Sequence, residues 1–431
     1  MPDINKKNQS KYHFFLLLLI GLACSSRLAF SQMPKAPLPR IPTPAATTTY
    51  QGHSLEYPYE IIEIQGKDLP HLVGLSIEKI GLFALQQNVL THIPFQIEER
   101  DQSGQVYFKE DAPIQGTQGI FDKEDVLLVY FKDAGSQIQN TEKHRQRLLG
   151  EIAVTQHQKS GYFYPALVEP EPNRVFRSEA KFEPKSGTIT TPLYQVFTDP
   201  KNFLIWNALT FHGHSSITSK TQPSTLEKQK PTLESRQLQS LLDSLKVRMS
   251  AKVLPFFIPV SMSNENIESQ VAAINTGVLR QTILVKSVVR VTSIPAAYMN
   301  MRFYVAPQDL NLYATIKTRP SLNKLIAGAK ASISLDGANL LNSDMQTSLL
   351  ENVTLKIDGK MSPDEKKLSG MPFDKEKLHW ASLETHQNFG LFAKLGMPRH
   401  SDVDVNVLYI DDKNKIDAPE NAHGQTPNAG F

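Results

Sequence analysis

The sequence predicts a mainly β protein: two β-sandwich-like domains with one short helical insertion. Three observations carry this. Most of the chain beyond residue 56 reads as apolar, β-branched runs of five to fifteen residues divided by turn residues, and such side chains pack well on a pleated surface. Helical periods are nearly absent, and many strands with few helices indicate sandwich or open-barrel architecture. The chain's one cysteine, Cys24, lies near the N-terminus, so the body must hold together by burial, for which 431 residues suffice in two domains.

Residues 1–31 read as an export signal. Lys6, Lys7 and Lys11 precede an unbroken apolar run over 14–23, and a short polar tail follows over 24–31. That order is a secretory signal peptide, and the run is half the ~20 residues that span a bilayer. Two processing routes compete. Ala29 and Ser31 suit ordinary cleavage before Gln32, whereas Ala23, Cys24 and Ser25 suit lipidation at Cys24, with Gly21 and Leu22 departing from the usual pattern. The chain is therefore expected to be periplasmic or secreted or, by the second route, membrane-tethered through a lipid on Cys24.

The signal also explains the charge. It takes four basic residues (Lys6, Lys7, Lys11, Arg27) from 46 and one acid (Asp3) from 43, leaving 42 of each. A neutral body argues against nucleic acid as a partner, because such binders carry a basic excess. Without further cysteines there is no disulfide, thiolate zinc site or cysteine nucleophile.

Residues 32–55 open with five prolines and a threonine run, an extended linker in which proline removes backbone donors and fixes φ. The N-terminal β-rich domain is expected over 56–180. Residues 60–65 and 93–98 read as strands, 101–104 as a turn and 105–108 as a return strand. Residues 125–132 (DVLLVYFK) give the strongest buried-strand pattern, and 148–156 and 162–168 follow. Residues 77–85 fit a helix face and a strand equally.

The C-terminal domain, 181–431, carries strands expected at 244–254, 278–292, 299–306, 312–318, 331–335, 353–357 and 403–410. An insertion over 218–243 starts polar and leads into Leu238, Leu241, Leu242 and Leu245, whose i, i+3, i+4, i+7 spacing predicts one amphipathic helix. The terminal Phe431 follows a Pro- and Gly-containing stretch, not the alternating strand that ends a membrane barrel.

The search for chemistry yields candidates rather than a signature. No G-x-S-x-G, G-x-x-x-x-G-K or H-E-x-x-H occurs. His212 and His214 would share a face of a strand and are the metal candidates. Asp402, Asp404 and Asn406 alternate with valines ahead of Asp411 and Asp412, as hard oxygen ligands or as the polar side of a strand. Glu98, Glu99 and Asp101 gather at the first hairpin, as an acid/base pair or as a solvated acidic turn. Trp206, Trp380 and the adjacent His379 are the binding candidates, since flat rings stack on sugars. No cofactor is assigned.

Two stretches, 93–99 (IPFQIEE) with 125–135 (DVLLVYFKDAG), and 408–412 (LYIDD) with the Gly-containing end, resemble uncharacterised exported β-rich proteins of Gram-negative bacteria. The resemblance implies an envelope location and sandwich folding, and brings no activity. A sugar-binding supersandwich is a fold-level analogy only. The expected function is non-enzymatic binding or scaffolding of a glycan or other envelope component. The rival is a polysaccharide lyase or hydrolase on a sandwich face.

Overall fold

The structure, a computed structural model, describes residues 21–22 and 60–430 apart from 102–103, 111–115, 140–147, 157–158, 170–175, 213–239, 255, 257, 292–293, 319–325, 386–389, 397–403 and 416–426. The chain divides into two compact units, Ser25–Arg177 and Ser178–Phe431, the latter with Met1–Cys24. Strand β1 is the two-residue Gly21–Leu22.

The N-terminal unit holds β2 (Ile61–Gln65), β3 (Ile80–Gln86), β4 (Val89–His92), β5 (Gln96–Glu98), β6 (Val126–Tyr130), β7 (Ile152–Gln156) and β8 (Lys159–Leu167). They form two antiparallel sheets, β2-β6-β5 and β4-β3-β8-β7. All five residues of β6 are buried, which is why its sequence is continuously apolar rather than alternating. Leu127 and Val129 join Leu82, Ala84, Phe121 and Phe163 in one core. The ambiguous stretch at 77–85 resolves as a 3-10 turn, Ile77–Lys79, running into β3. Gln87 and Asn88 both take positive φ, 50° and 64°, the geometry of the two-residue turn that matches strand twist. Residues 105–108 make only an isolated bridge, Val106 to Arg100, rather than the expected strand.

The C-terminal unit begins with β9 (Lys181–Glu183), β10 (Thr188–Thr190), β11 (Tyr194–Asp199) and β12 (Asn202–Phe211), a four-stranded meander. Next come β13 (Leu242–Val253), β14 (Ile258–Ser263), β15 (Ile267–Thr276), β16 (Gln281–Val291), β17 (Ile294–Val305), β18 (Leu310–Thr318) and β19 (Ile326–Gly337). The chain closes with β20 (Asp344–Thr347), β21 (Leu350–Lys356), helix α1 (Pro363–Leu368), β22 (His379–Glu384), β23 (Gly390–Leu395), β24 (Leu408–Ile410) and β25 (Asn428–Gly430). Besides the meander, the sheets run β15-β16-β17-β18, β14-β13-β19-β25-β24 and β1-β23-β22-β20-β21.

The meander faces the β15–β18 sheet across a shared core. Phe203 meets Phe303 edge-on at 4.9 Å and Trp206 lies 6.0 Å from the same ring. Ile283, Val285, Met299 and Met301 complete that wall. Trp206 is 3% exposed; it is a core residue and not a binding platform, because β12 is covered by another sheet.

Most of the insertion expected over 218–243 lies outside the described residues, and the described leucines of its expected amphipathic helix are not helical. Leu242 and Leu245 lie in β13, and Leu241 bonds through its backbone to Leu209 and Ala338. Leu238 lies outside the described residues. The one α-helix among the described residues is α1, inserted between β21 and β22. Its start is a capping box: Ser362 accepts from the Glu365 amide, Glu365 accepts from the Ser362 amide, and Pro363 stands at the first helical position.

Candidate functional site: an apolar cavity between two sheets

Strands β19, β24 and β25 of one sheet and β20, β22 and β23 of another line a cavity of about 200 Å³. Met345, Leu349, Leu368, Phe373 and Val407 make much of its wall. Close approach of the strands builds one side: a Cβ on Gly430 would sit 2.1 Å from the Ile333 carbonyl oxygen, so only glycine lets β25 lie here.

His379, Thr347 and Tyr409 in the wall already have partners. His379 is buried. Its Nε2 is 2.9 Å from the Asp374 carbonyl oxygen, which can only accept, so Nε2 carries the proton. Nδ1 then accepts from the Ser348 hydroxyl at 3.4 Å. The ring lies 4.2 Å from that of Phe373. Thr347 donates its hydroxyl to the Trp380 carbonyl at 3.1 Å. Trp380 is half-buried and stacks on Phe392 at 5.9 Å and 25°, and the Lys394 ammonium sits 5.5 Å above that Phe392 ring.

Tyr409 is 1% exposed and donates to Glu365 at 3.3 Å. Burial, with the charges of Glu365 and Asp411 beside it, pushes its phenol far above the ordinary range, so it stays protonated. Burial also raises the Glu365 carboxyl, against the amide and hydroxyl of Ser362 that favour its charge. Glu365 is fully buried and is absent from the cavity wall. The wall contains no Asp or Glu among the described residues. The wall is mainly apolar, with His379, Tyr409 and Lys394 among its polar members.

Trp380 and His379 thus meet at one cavity, while Trp206 does not. His212 is an exposed turn residue just past β12, its amide bonded to Leu193, and His214 lies outside the described residues. No group of three His, Cys, Asp or Glu with metal-holding geometry occurs among the described residues. Asp404 and Asn406 are exposed on either side of buried Val405, and Asp402 lies outside the described residues. Asp411 turns inward instead. It is fully buried and accepts from the amides of Asp358 at 2.8 Å and Gly359 at 3.0 Å, holding a turn.

The acids of the first hairpin are not a solvated turn. Glu98 is fully buried, 2.5 Å from the Arg100 guanidinium, and takes a second bond from Gln96 at 3.2 Å. Arg100 also donates to the Gly104 carbonyl at 2.9 Å and lies 3.7 Å from Glu63. Glu99 accepts from the Gly119 amide, and Asp101 from that of Gln105. These bonds fasten the hairpin and leave no carboxylate pair for acid and base work.

Asp125, beside this network, accepts from the amides of Arg100 and Asp122 at 3.2 and 2.9 Å. Burial lifts its carboxyl to about 6, against those two amides and helped by the charges of Asp122 and Glu99. With the folded value above the unfolded one, the folded state holds a proton that the unfolded state releases between about pH 4 and 6. This contribution to stability is therefore lost as pH rises through that window. A carboxyl-carbon NMR titration is expected to give Asp125 a midpoint near 6; a midpoint near 4 contradicts the burial argument.

No protein-family model and no curated protein matches this sequence. Among solved structures the chain is similar to an α-mannosidase from Enterococcus faecalis, with 9% identity and a TM-score of 0.39, over 78% of this chain and 37% of that one. It is also similar to a glycosyl hydrolase family 38 protein from Enterococcus faecalis, with 10% identity and a TM-score of 0.36, over 78% and 38%. The chain spans less than two fifths of either protein's length, and no cavity residue takes a role from them.

Proposed function

We propose that this chain is an exported envelope protein that binds its ligand without transforming it, and that the cavity seats an apolar part of an envelope component, such as an acyl chain or a hydrophobic substituent on a glycan. The observation that carries this is the wall itself: mainly apolar residues from six strands and a helix, with His379, Thr347 and Tyr409 already bonded within the protein, Lys394 its one charged member and no carboxylate, among the described residues. Pockets that bind small molecules are mostly apolar with few orienting polar groups. Export is supported by the pattern of residues 1–31. The hydrolase and lyase reading is weakened because each needs a proton donor and acceptor facing the ligand.

The test is a titration of the purified protein with a long-chain fatty acid, beside a polysaccharide turnover screen. Saturable binding that changes Trp380 emission and is lost in Trp380→Phe, with no turnover, is the expected result. Polysaccharide cleavage, or no binding of the acyl probe, overturns it.

A further inference from the structure

A second surface, sharing no residue with the cavity, lies at the ends of the long strands β13, β14 and β19. Val253 and Ile258 form the last rung of the β13–β14 hairpin, and Ile326 of β19 pairs with Val253 on its other side. Phe256, in the connection, is 82% exposed and Ile258 is 54% exposed. The tip sequence 254–259 is LPFFIP, without a polar side chain. Large apolar groups clustered in water mark a surface that meets something else.

Charge identifies the partner. Lys252 is exposed and pairs with Pro259 and Ala327; Lys330 is exposed and pairs with Ser250. From 244 to 264 the sequence has Lys246, Arg248 and Lys252 and no acid, Lys246 being buried. From 310 to 335 it has Lys317, Arg319, Lys324 and Lys330 and again no acid. Lys252 and Lys330 thus set two exposed cations beside the apolar tip, in stretches of sequence that carry no acid. Pro255 and Pro259 add a third feature. Each removes a backbone N–H that would be stripped of water in a lipid interface, and Pro259, within the edge strand β14, opposes pairing of that strand with another.

We propose that this hairpin tip docks the protein onto an anionic phospholipid surface, Phe256 and Ile258 entering the acyl boundary and the lysines meeting headgroup phosphates. Amphipathic surfaces bind membranes by this pairing of apolar burial with attraction to anionic lipid.

The test uses a Cys24→Ser protein, so that no lipid anchor contributes, and co-sedimentation with vesicles of phosphatidylglycerol and phosphatidylethanolamine. Binding is expected, with loss at high salt and little binding to phosphatidylcholine. Phe256→Ser with Ile258→Ser is expected to lower partitioning roughly tenfold. Lys252→Gln with Lys330→Gln is expected to lower it roughly tenfold and to flatten its salt dependence. Both pairs are expected to keep the parent melting temperature, since the side chains are exposed. The proposal is overturned by a parent protein that stays in the supernatant, by equal binding to phosphatidylcholine at all salt concentrations, or by variants that bind like the parent. A tip that drives concentration-dependent self-association without vesicle binding also overturns it.

Discussion

Asp336→Ala is expected to destabilise the C-terminal unit by about 3–5 kcal/mol. Lys246 on β13 pairs with Ser334, and Asp336 on β19 pairs with Ser244. The two charged side chains therefore stand diagonally on one face of adjacent strands. They meet at 2.5 Å, with the lysine side chain 0% and the aspartate side chain 7% exposed. Desolvating an ammonium costs several kcal/mol, and here the carboxylate offsets that cost. Removing the carboxylate leaves the ammonium buried between β-strands. The double change Lys246→Met with Asp336→Leu is expected to recover most of the loss, because apolar residues of similar volume often replace a buried pair without penalty. Denaturant unfolding followed by Trp206 emission reads both, since Trp206 sits in the core of the same unit. A loss below about 1 kcal/mol for Asp336→Ala contradicts the account of this pair.

Filling the cavity is expected to abolish ligand binding while leaving the fold intact or stronger. Ala381 of β22 and Ala393 of β23 lie directly opposite one another and both line the cavity. Ala381→Leu with Ala393→Leu places two branched side chains in the open volume. Filling an existing void commonly adds about 0.5–2 kcal/mol of stability. Acyl-probe affinity is expected to fall at least roughly tenfold, the effect of losing about 1.4 kcal/mol of binding free energy. Calorimetric melting and probe titration on the same sample separate the two effects. A variant that melts lower and binds as tightly as the parent shows that the cavity is not where the ligand sits.

The sequence made the strands legible where burial is simple. β6 is covered on both faces and reads as an apolar run; β16 is likewise buried on both faces over 281–285, where Ile283, Leu284 and Val285 run together, and buried and half-buried residues alternate only beyond Val285. It misled where a buried strand carries polar residues. In β13, Asp243, Ser244 and Lys246 are buried beside Leu242 and Leu245. The resulting leucine spacing imitates a helix, because a strand covered on both faces loses its two-residue period. Helix α1 had a local signal in Ser362-Pro363-Asp364-Glu365, a capping box with proline at its first position. Glu98 looked solvent-facing because charged residues surround it in sequence; its partner Arg100 is only two residues on, facing the same side of an extended strand, but the burial of both is not a local property. The cavity was half legible. Trp380 and His379 drew notice as an aromatic pair, but Phe373, Tyr409 and Gly430 reach them from as far as 50 residues along the chain, through strand pairings that no local pattern encodes. Trp206 and Trp380 look alike in sequence, and only the sheet packed over β12 separates them.

The proposed function requires the cavity between the β19–β25–β24 strands and the β20–β22–β23 strands to hold an apolar ligand intact. Native mass spectrometry of the protein purified gently from its own envelope tests this most directly. One unmodified acyl-bearing or otherwise apolar molecule per chain is expected, present in the parent and missing from Ala381→Leu with Ala393→Leu. A parent that carries nothing, or a filled variant that retains the same molecule, contradicts it.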